Sequence, residues 1–546
     1  MSRKSFLIIG ITSFIILVIL FLIGLYKPSN IKKPFVILIS REPDVFTNLF
    51  MKQGISLLVN KALFRNLVEL DDNLKYYPEL VKEVPTIENN LVTITSDGKM
   101  HVKWRFKKNL KWSDGHPLTP EDVLFTYQVL MHPKVAVLGI EKSDAKFIDS
   151  IKIMDDGNTL LVVWKKLYYN YLTAHPILPK HLLEKHLIEN PSGFDSLSYH
   201  RFPVGNGPYR ISKWKPGSYI LLKANEYYQK KANVPAIAFK MVKDVNSILV
   251  NLISGEGDAC TTLSPEQYFF LKKRYTNKIN VYLTEGMQWL HIDLNLQNKI
   301  LKDINVRKAL LYSIDRNTIA KIVSHNTYSV SNSWLPSKHY GYNNPSLKYS
   351  FDPDKGESLL KKSGWKYNSG NILEKNGKTL SLTLLTDSND KDRGRIAVFI
   401  KEYLRKIGVD LKIESNTTNI LFSKYFPERD FDLGLYAWSM WPRIDGEYYW
   451  MSNKIPTPQN KRSGLNFSGF TNIEIDNIHK ILSRTLNYKK RLELFKHHQE
   501  IWINELPALP LFIIQSLSAT RKGVLNWKPT GSAIPVTWNC EKWIIK

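Results

Sequence analysis

The segment Val204–Tyr228 most constrains the fold, because two turn signals in it frame two stretches that favour β-strands. Asn206-Gly207-Pro208 predicts a turn, since glycine tolerates positive φ while proline fixes φ and lacks an N–H donor. Tyr209–Trp214 and Ser218–Lys223 are rich in residues that favour strands, and Lys215-Pro216-Gly217 between them is typical of a hairpin loop. The segment therefore predicts a β-hairpin.

The length of the chain, 546 residues, predicts two or three domains, because single hydrophobic cores stop growing well below that size. The formal net charge of +26 has three explanations: a compositional bias, attraction to an anionic membrane surface, or a nucleic-acid partner. Lysine and arginine are scattered, and no basic run alternates with aromatic residues, which favours the compositional bias. We therefore expect no nucleic acid among the partners.

An uncharged run, Ser5–Tyr26, follows Arg3 and Lys4 near the start of the sequence. As a helix it is long enough to span a bilayer of about 30 Å, and it is longer than the core of a cleavable signal peptide. Leu25-Tyr26-Lys27-Pro28 offers no small-x-small cleavage site, and no cysteine that could carry a lipid lies nearby. The run predicts export, and we favour an uncleaved membrane anchor over a cleaved signal, with the rest of the chain outside.

Further local signals follow in the first and middle parts of the chain. Trp112-Ser113-Asp114-Gly115 predicts a sharp turn, because Asp-Gly pairs favour tight loops. Thr119-Pro120-Glu121-Asp122 predicts the start of a helix, because threonine can cap it, proline suits its first position and the acids complement its dipole. Asp303–Asp315 predicts another helix from its apolar spacing.

In this order, these segments resemble motifs of the family 5 extracellular solute-binding proteins, the peptide- and nickel-binding receptors of bacterial ABC importers. The resemblance is carried by Gly205–Tyr209 with the hairpin after it, by Trp112–Val123, by Val306–Arg316 and by Leu506–Phe512. It covers nearly all of the chain beyond the N-terminal run. It implies an α/β fold like the type II periplasmic binding proteins, with two lobes around a ligand cleft and an inserted extra domain, after the hydrophobic segment.

The resemblance also implies the domain organisation. Residues 1–32 are expected to be the anchor or signal segment with its linker, and lobe I to be discontinuous, comprising 33–70, 200–278 and 508–546. Domain II, residues 71–199, is inserted into lobe I, and lobe III comprises 279–507. The implied function is to bind a peptide or peptide-like solute in the periplasm and deliver it to an inner-membrane ABC permease, as a monomer without a cofactor or metal.

Two strands are predicted to reach the cleft. From Trp289 onward, aliphatic residues alternate with aromatic or polar ones. In a strand, Trp289 and His291 therefore share one face, and Leu290, Ile292, Leu294 and Leu296 share the other. The first face suits the wall of a wet cleft, although a plain surface strand gives the same pattern. The second strand lies within Asp430–Trp450. There the resemblance implies ligand contacts at Tyr436, Ala437, Trp438, Ser439 and Met440. The backbone of a bound peptide would pair with this strand as an added strand.

The end of this second strand departs from the family pattern. Where the resemblance implies an aspartate for the α-amine of a peptide, this chain has Trp441, and the nearest acid is Asp445. A buried ammonium without its carboxylate costs about 2–5 kcal/mol, whereas a cation–π contact with Trp441 returns only about 0.5–2 kcal/mol. Either Asp445 takes over the amine or the ligand has no free amine. In lobe I, Glu42 lies in a loop that partly resembles a cleft-lining loop of the family.

Three other functions fit parts of the sequence. A receptor for a nickel chelate, haem or sugar would belong to the same family. An exported hydrolase has candidate groups only in Asp445, Glu447 and His291, without a nucleophile elbow or an HExxH motif. An anchored scaffold that transports nothing is the third. A zinc site is not predicted at His181 and His186, because histidines five residues apart face different sides of a helix.

Cys260 and Cys540 are the two cysteines of the sequence. They fit either one long-range disulfide in an oxidising compartment or two buried thiols. Because the resemblance places both in lobe I, it favours the disulfide.

Overall fold

Two long strands, β12 (Ile279–Leu294) and β20 (Ala508–Arg521), run through the middle of the molecule and connect its two lobes. The computed structural model describes residues 33–137, 140–173, 175–441, 445–531 and 534–546. The predicted N-terminal anchor lies outside these residues. Within them, no helix combines the length and the apolar character that crossing a bilayer requires.

The other strands are short. They are β1 (Phe35–Ile39), β2 (Val68–Leu70), β3 (Tyr76–Pro78), β4 (Val92–Ile94), β5 (Met100–Arg105), β6 (Ile148–Ile153), β7 (Thr159–Trp164), β8 (Tyr209–Lys215), β9 (Tyr219–Ala224), β10 (Ala236–Met241), β11 (Ala259–Cys260), β13 (Tyr328–Val330), β14 (Lys366–Tyr367), β15 (Leu373–Lys375), β16 (Lys378–Thr379), β17 (Ser381–Asp387), β18 (Asp410–Asn416), β19 (Leu433–Ser439), β21 (Val524–Leu525) and β22 (Ile544–Ile545).

Helices and helical turns alternate with these strands along the chain. The α-helices span Gly54–Leu63, Pro120–Met131, Ile140–Ala145, Lys180–Glu189, Val245–Ser254, Pro265–Arg274, Ile304–Tyr312, Arg316–Ser324, Pro353–Lys362, Lys391–Lys406, Thr418–Ile420, Phe426–Glu428, Glu447–Trp450, Ile473–Leu482 and Tyr488–Glu505. A π-helical turn spans Leu421–Tyr425, and 3₁₀ turns span Asn48–Phe50, Tyr169–Leu172, Pro191–Ser196, Ser198–His200, Ser452–Lys454 and Val536–Lys542.

One large sheet joins both lobes. Its strand order is β18-β17-β19-β12-β20-β11-β1-β10-β9-β8, and β13 also pairs with β20. In lobe I, β1 pairs in parallel with β10 and β11, and in lobe III, β17 pairs in parallel with β18 and β19. The antiparallel pair β12 and β20 lies between these two groups. Domain II has its own antiparallel sheet, in the order β4-β5-β7-β6.

The pairing of β12 with β20 is irregular where the strands pass from one lobe to the other. Ile279–Thr284 pairs with Ser516–Arg521 beside the core that contains Leu38, and the register shifts before Gln288, where pairing resumes beside the core that contains Trp334. Gly286 lies in this gap, and a β-carbon there would be 1.6 Å from the carbonyl oxygen of Ile514. Because a register shift weakens the ladder locally, we expect the lobes to bend relative to each other at these crossing strands.

The buried core divides along the same line. One large cluster lies in lobe III and includes Trp334, Trp450 and Trp502. Another joins lobe I to domain II and includes Phe35 and Trp104. Lobe I and domain II therefore share a core, while the predicted domain boundaries stay a prediction.

Several local sequence predictions are confirmed. The predicted hairpin forms as β8 and β9, and Gly217 in its turn has a φ of 69°. Thr119 and Asp122 form a capping box at the start of the helix Pro120–Met131. The local chemistry of turns and caps was sufficient at these positions because no distant residue competes with it.

The favoured disulfide is wrong. Cys260 and Cys540 are buried free thiols, and burial raises the pKa of each to about 12. Cys260 lies in β11 and packs in a lobe I cluster with Leu38 and Leu252, whereas Cys540 packs in the core shared with domain II. The two thiols occupy different cores, so lying in one lobe does not bring them together.

Candidate functional site

Strand β19 has a backbone edge that is paired along only part of its length. On one side, β12 pairs with the whole strand, from Leu433 to Ser439. On the other side, β17 pairs only with Leu433, Gly434 and Leu435. The stretch Tyr436–Ser439 therefore has a single strand neighbour among the described residues, and its second edge is unpaired by any strand. An edge of this kind can accept an added strand through its N–H and C=O groups.

Two of the predicted contact residues on this strand are covered by protein. Tyr436 is 1% exposed and donates its hydroxyl to the buried carboxylate of Asp293, and Met440 is fully buried. Both side chains are inaccessible to a ligand in this structure, because aromatic neighbours cover the face of β19 that carries Tyr436. The π-helical turn supplies one of them, Phe422, whose ring centroid lies 5.3 Å from that of Tyr436. The backbone of Tyr436 still lies at the unpaired edge, and the predicted ligand contacts stay a prediction.

The other predicted residues of the strand are accessible to different degrees. Ser439 and Trp441 are exposed, while Ala437 and Trp438 are partly buried. The indole of Trp438 packs between Tyr449 and Phe467, with ring centroids 5.1 and 6.1 Å apart. Ala437, Trp438, Ser439 and Trp441 therefore remain the side chains of this segment that a ligand can reach.

The expectation that Trp289 and His291 form the wall of a wet cleft is also wrong. Both are fully buried, and their rings stack with centroids 3.8 Å apart. Trp289 meets Trp450 and Trp502 edge-on, so elements far along the chain cover this face of β12. The two faces of the alternating pattern are present, but β12 is an inner strand of the sheet and both of its faces are buried.

Glu42 is engaged within lobe I. Its carboxylate accepts hydrogen bonds from the indole N–H of Trp214, at 2.9 Å, and from the backbone N–H of Gly217, at 3.1 Å. Both donors belong to the β8–β9 hairpin. Because both carboxylate oxygens are used there, Glu42 fixes its loop to the hairpin, and the predicted ligand contact is not supported by this geometry.

Two cavities lie between the lobes near the end of β19. Chamber 1, about 650 Å³, lies between domain II, including Lys166 and Asn170, and lobe III, including Asp445 and His479. Chamber 2, about 400 Å³, has walls from lobe I and domain II, including Asn60 and Leu172, and Trp441 on the lobe III side. One segment of domain II, 166–176, contributes to both chambers. The segment of lobe III after β19 likewise contributes Trp441 to one and Asp445 to the other.

The acidic groups near these cavities differ between the chambers. In chamber 2, Glu69 forms an ion pair with Lys61, and burial lowers the pKa of that lysine. In chamber 1, Asp445 accepts a hydrogen bond of 3.0 Å from the backbone N–H of Glu447, and burial raises the pKa of Asp445. Of the two chambers, chamber 1 is therefore the one in which a ligand ammonium would meet an acid, Asp445, that has no cation partner among the described residues.

Buried histidines predict a loss of stability in acid. Burial lowers the pKa of His175 and His479 to about 4 and that of His291 to about 3. Because an unfolded histidine titrates near 6.5, the unfolded state binds more protons below that pH, and the free energy of unfolding should fall by about 1–2 kcal/mol per histidine between pH 6.5 and pH 5. Asp293 opposes this loss, since burial raises its pKa to about 7 and the folded state then gains protons below that pH. Urea unfolding at pH 7 and pH 5 measures the net effect, which we expect to be a loss.

Two variants separate these contributions. His498 is fully buried and its pKa is also lowered by burial, so His498→Phe should reduce the difference between the two pH values. Asp293→Asn removes the opposing group and should increase that difference. Equal stability of the unmodified protein at both pH values would contradict the prediction.

Sequence and structure comparisons agree on the type of protein. The sequence model of the bacterial extracellular solute-binding proteins, family 5 Middle, matches residues 75–459. The oligopeptide-binding protein AppA of Bacillus subtilis is 27% identical over 472 residues, covering 84% of this chain and 82% of AppA. The probable D,D-dipeptide-binding periplasmic protein DdpA of Escherichia coli is 24% identical over 439 residues, covering 78% and 79%.

Solved structures have the same fold. AppA of Bacillus subtilis in complex with a nonapeptide superposes with a TM-score of 0.73 at 24% identity, covering 94% of this chain and 99% of that one. NikZ from Campylobacter jejuni in complex with Ni(L-His) gives a TM-score of 0.73 at 25% identity, with the same coverage. The expected α/β fold of the type II periplasmic binding proteins is thus confirmed. With a family match across most of its length and two lobes joined by crossing strands, this chain belongs to the family 5 bacterial extracellular solute-binding proteins.

Proposed function

We propose that this protein binds an extended peptide or peptide-like solute between its lobes and delivers it to an ABC permease in the inner membrane. The observation that carries the proposal is the unpaired edge Tyr436–Ser439, which leads directly into Trp441 and Asp445 at the two chambers. Backbone pairing at such an edge binds peptides with little regard to their side chains. The nonapeptide in the AppA structure supports this proposal.

The exposed residues take distinct roles in the proposal. The backbone of Ala437, Trp438 and Ser439 pairs with the ligand backbone. Trp441, which is 39% exposed, packs on a ligand side chain in chamber 2, where an indole supplies a large apolar contact. Bending at the crossing strands closes the lobes, and the ligand favours the closed state through contacts that exist only there.

Cellular location and the absence of catalysis belong to the proposal as well. We propose a periplasmic, monomeric binding protein that is held at the inner membrane by the uncleaved run Ser5–Tyr26. The role is binding and not hydrolysis, since the proposal uses a backbone edge and needs no reacting group. Incubation of the purified protein with peptides, followed by analysis of the products, should return the peptides intact.

Native mass spectrometry of the protein purified without added ligand tests the proposed function. We expect bound masses that fragment into peptide sequences. Bound nickel, measured by elemental analysis together with a small chelator, would favour the chelate receptor, a function for which the similarity to NikZ gives a specific precedent. A bound haem or sugar, or no affinity for any peptide in a mixed-length library, would contradict the proposal.

Asp445 is expected to hold the amine of a ligand that has one. In the Asp445→Asn variant, peptides with a free α-amine should lose about tenfold in affinity, because a buried charge-assisted contact is worth more than about 1.4 kcal/mol. N-acetylated peptides of the same sequence are the matched control and should be unaffected. Isothermal titration measures both. Equal affinity of the variant and the unmodified protein for free-amine peptides would remove this role from Asp445.

A further inference from the structure

The strands of lobe I meet at one end of the sheet, which we call the basal end. β1 starts at Phe35, and the next residue, Val36, donates its N–H to the carboxylate of Asp258 at 2.7 Å and accepts from the N–H of Asp258 at 2.8 Å. The carbonyl oxygen of Asp258 accepts the N–H of Arg521, the last residue of β20, at 2.8 Å. Arg521 pairs with Ile279, the first residue of β12. The basal end is therefore where β1 and β12 begin and β20 ends.

Lysines that are scattered in the sequence come together at the basal end. Lys278 precedes β12 and Lys522 follows β20, and the backbone N–H of Lys522 donates to the carbonyl oxygen of Lys278 at 2.7 Å. Both lysines are exposed, as is Lys33, which lies just before β1. The acids that neighbour this end already form ion pairs, namely Asp258 with Arg521, Glu256 with Lys240 and Glu541 with Arg65. The basal end therefore carries positive charge that these acids do not compensate.

An exposed apolar pair lies beside these lysines. In the short ladder of β21 and β22, which follows Lys522 in the sheet, Leu525 lies opposite Ile544, and the two side chains are 38% and 37% exposed. The neighbouring Trp527 and Trp543 are buried and pack on the phenylalanine that begins β1, with ring centroids 6.1 and 5.0 Å from its own. The apolar pair is thereby attached to the first residue of β1.

The proposed anchor connects to the same end of the molecule. Only residues 27–34 lie between the uncharged run Ser5–Tyr26 and the start of β1, and three of them are lysines. Fully extended, a segment of this length spans at most about 30 Å, whereas a folded chain of this size is about 60 Å across. An anchored protein therefore has its basal end close to the bilayer.

We infer that the basal end of lobe I lies on the membrane surface and binds the headgroups of anionic phospholipids. The inference rests on the anchoring proposed above. Lys278 and Lys522, with the lysines of the linker, attract the phosphate groups, and Leu525 and Ile544 enter the boundary between headgroups and acyl chains. β12 runs from this end to the crossing at Gly286, a distance of about 20–25 Å along the strand, so the membrane contact leaves the chambers accessible.

Labelling of a single introduced cysteine in the full chain tests the inference. Ile544→Cys is incorporated into nanodiscs of phosphatidylcholine, alone or mixed with phosphatidylglycerol, and its rate of reaction with an uncharged polyethylene glycol maleimide is measured. Cys260 and Cys540 are buried and should react slowly. We expect labelling about tenfold slower in the anionic nanodiscs, and a smaller difference at high salt, because salt screens the attraction to the headgroups. Ile188→Cys, at a domain II side chain that is 75% exposed, is the matched control and should react equally fast in both lipids.

Charge variants in the Ile544→Cys background locate the contact. Lys278→Glu/Lys522→Glu should give equal labelling rates in both lipids, because the attracting charges at the basal end are reversed. Lys489→Glu/Lys490→Glu, at two exposed lysines of the helix Tyr488–Glu505 in lobe III, should keep the difference. A difference that survives in Lys278→Glu/Lys522→Glu would overturn the inference.

The remaining outcomes distinguish the inference from the proposed function. Equal labelling of Ile544→Cys in both lipids, or a slowing that Ile188→Cys shares, would overturn the inference and leave the anchor and peptide binding intact. Protein that does not stay with the nanodiscs would contradict the anchor and the inference together. Peptide affinity should be the same in both lipids. A loss of that affinity in the anionic nanodiscs alone would overturn the placement of the contact away from the chambers, whereas no affinity in either lipid would contradict the proposed peptide binding.

Discussion

Gly286→Ala is expected to destabilise the protein by about 3–5 kcal/mol, at the upper end of single substitutions. The added β-carbon would lie 1.6 Å from the carbonyl oxygen of Ile514 and 2.8 Å from its carbonyl carbon. Both contacts are with backbone, so no side chain can rotate away, and β12 and β20 must separate at the crossing between the lobes. Urea unfolding at neutral pH measures the loss.

The matched control is Gly394→Ala. Gly394 lies inside the helix Lys391–Lys406, and a β-carbon there would meet nothing within 4 Å. Alanine in a helix interior is favoured over glycine by about 0.5–1 kcal/mol, so this variant should gain that amount. A loss below about 1 kcal/mol for Gly286→Ala would show that the crossing strands have more freedom than the close approach allows.

The position of Gly286 also links stability to ligand binding. Met287, the next residue, donates its N–H to Gly531 of lobe I at 3.1 Å and accepts from the N–H of Met440 at 2.7 Å. Met440 directly follows the unpaired edge of β19. The crossing point is therefore connected to lobe I on one side and to the proposed ligand strand on the other, so bending there changes the position of that strand relative to lobe I.

Sequence alone was sufficient wherever local chemistry decides the structure. The turn at Gly217 and the helix start at Thr119 depend on a few neighbouring residues, and both are confirmed. Val59–Leu70 shows the limit of this reasoning. Its spacing suggests one helix, but the helix ends at Leu63 and Val68–Leu70 forms β2. The cause is a residue far away in the sequence. Asn206 accepts a hydrogen bond from the backbone N–H of Arg65, and this contact replaces a further helical hydrogen bond just after the helix ends.

The candidate site was less predictable because it is built from distant parts of the chain. Alternation identified the two faces of β12, but no local pattern shows that Trp450 and Trp502 cover the face of Trp289. Chamber 1 combines Lys166 with Arg484, and the end of domain II, the second segment of lobe I and most of lobe III lie between them in the sequence. Such a site has no sequence motif. The resemblance located β19 and Trp441, and the structure was needed to show which side chains there are accessible.

Domain II and lobe III are also connected by a buried arginine, Arg491. Its guanidinium donates to the carbonyl oxygens of Leu482 and Thr485 and, at 2.8 Å, to the hydroxyl of Tyr340, all in lobe III. Its side chain is fully buried, and its central carbon lies 3.3 Å from the ring centroid of Tyr169, which comes from domain II. Tyr169 lies between residues that line the two chambers, so this contact holds the segment that borders both of them.

Arg491→Met should therefore destabilise the protein by about 3–5 kcal/mol, because buried carbonyl and hydroxyl groups lose their donors while only apolar contact replaces them. Tyr169→Leu should cost less, about 1–2 kcal/mol, since it removes the cation–π contact and leaves the hydrogen bonds of the arginine in place. Urea unfolding of both variants and of the double variant gives the coupling between them, which we expect to be about 0.5–2 kcal/mol.

Arg405→Met, at a side chain that is 68% exposed, is the control for the loss of one arginine and should change little. Additive losses would mean that Tyr169 and Arg491 stabilise their own domains separately, and a coupling of the expected size would mean that stacking across the cleft holds domain II against lobe III.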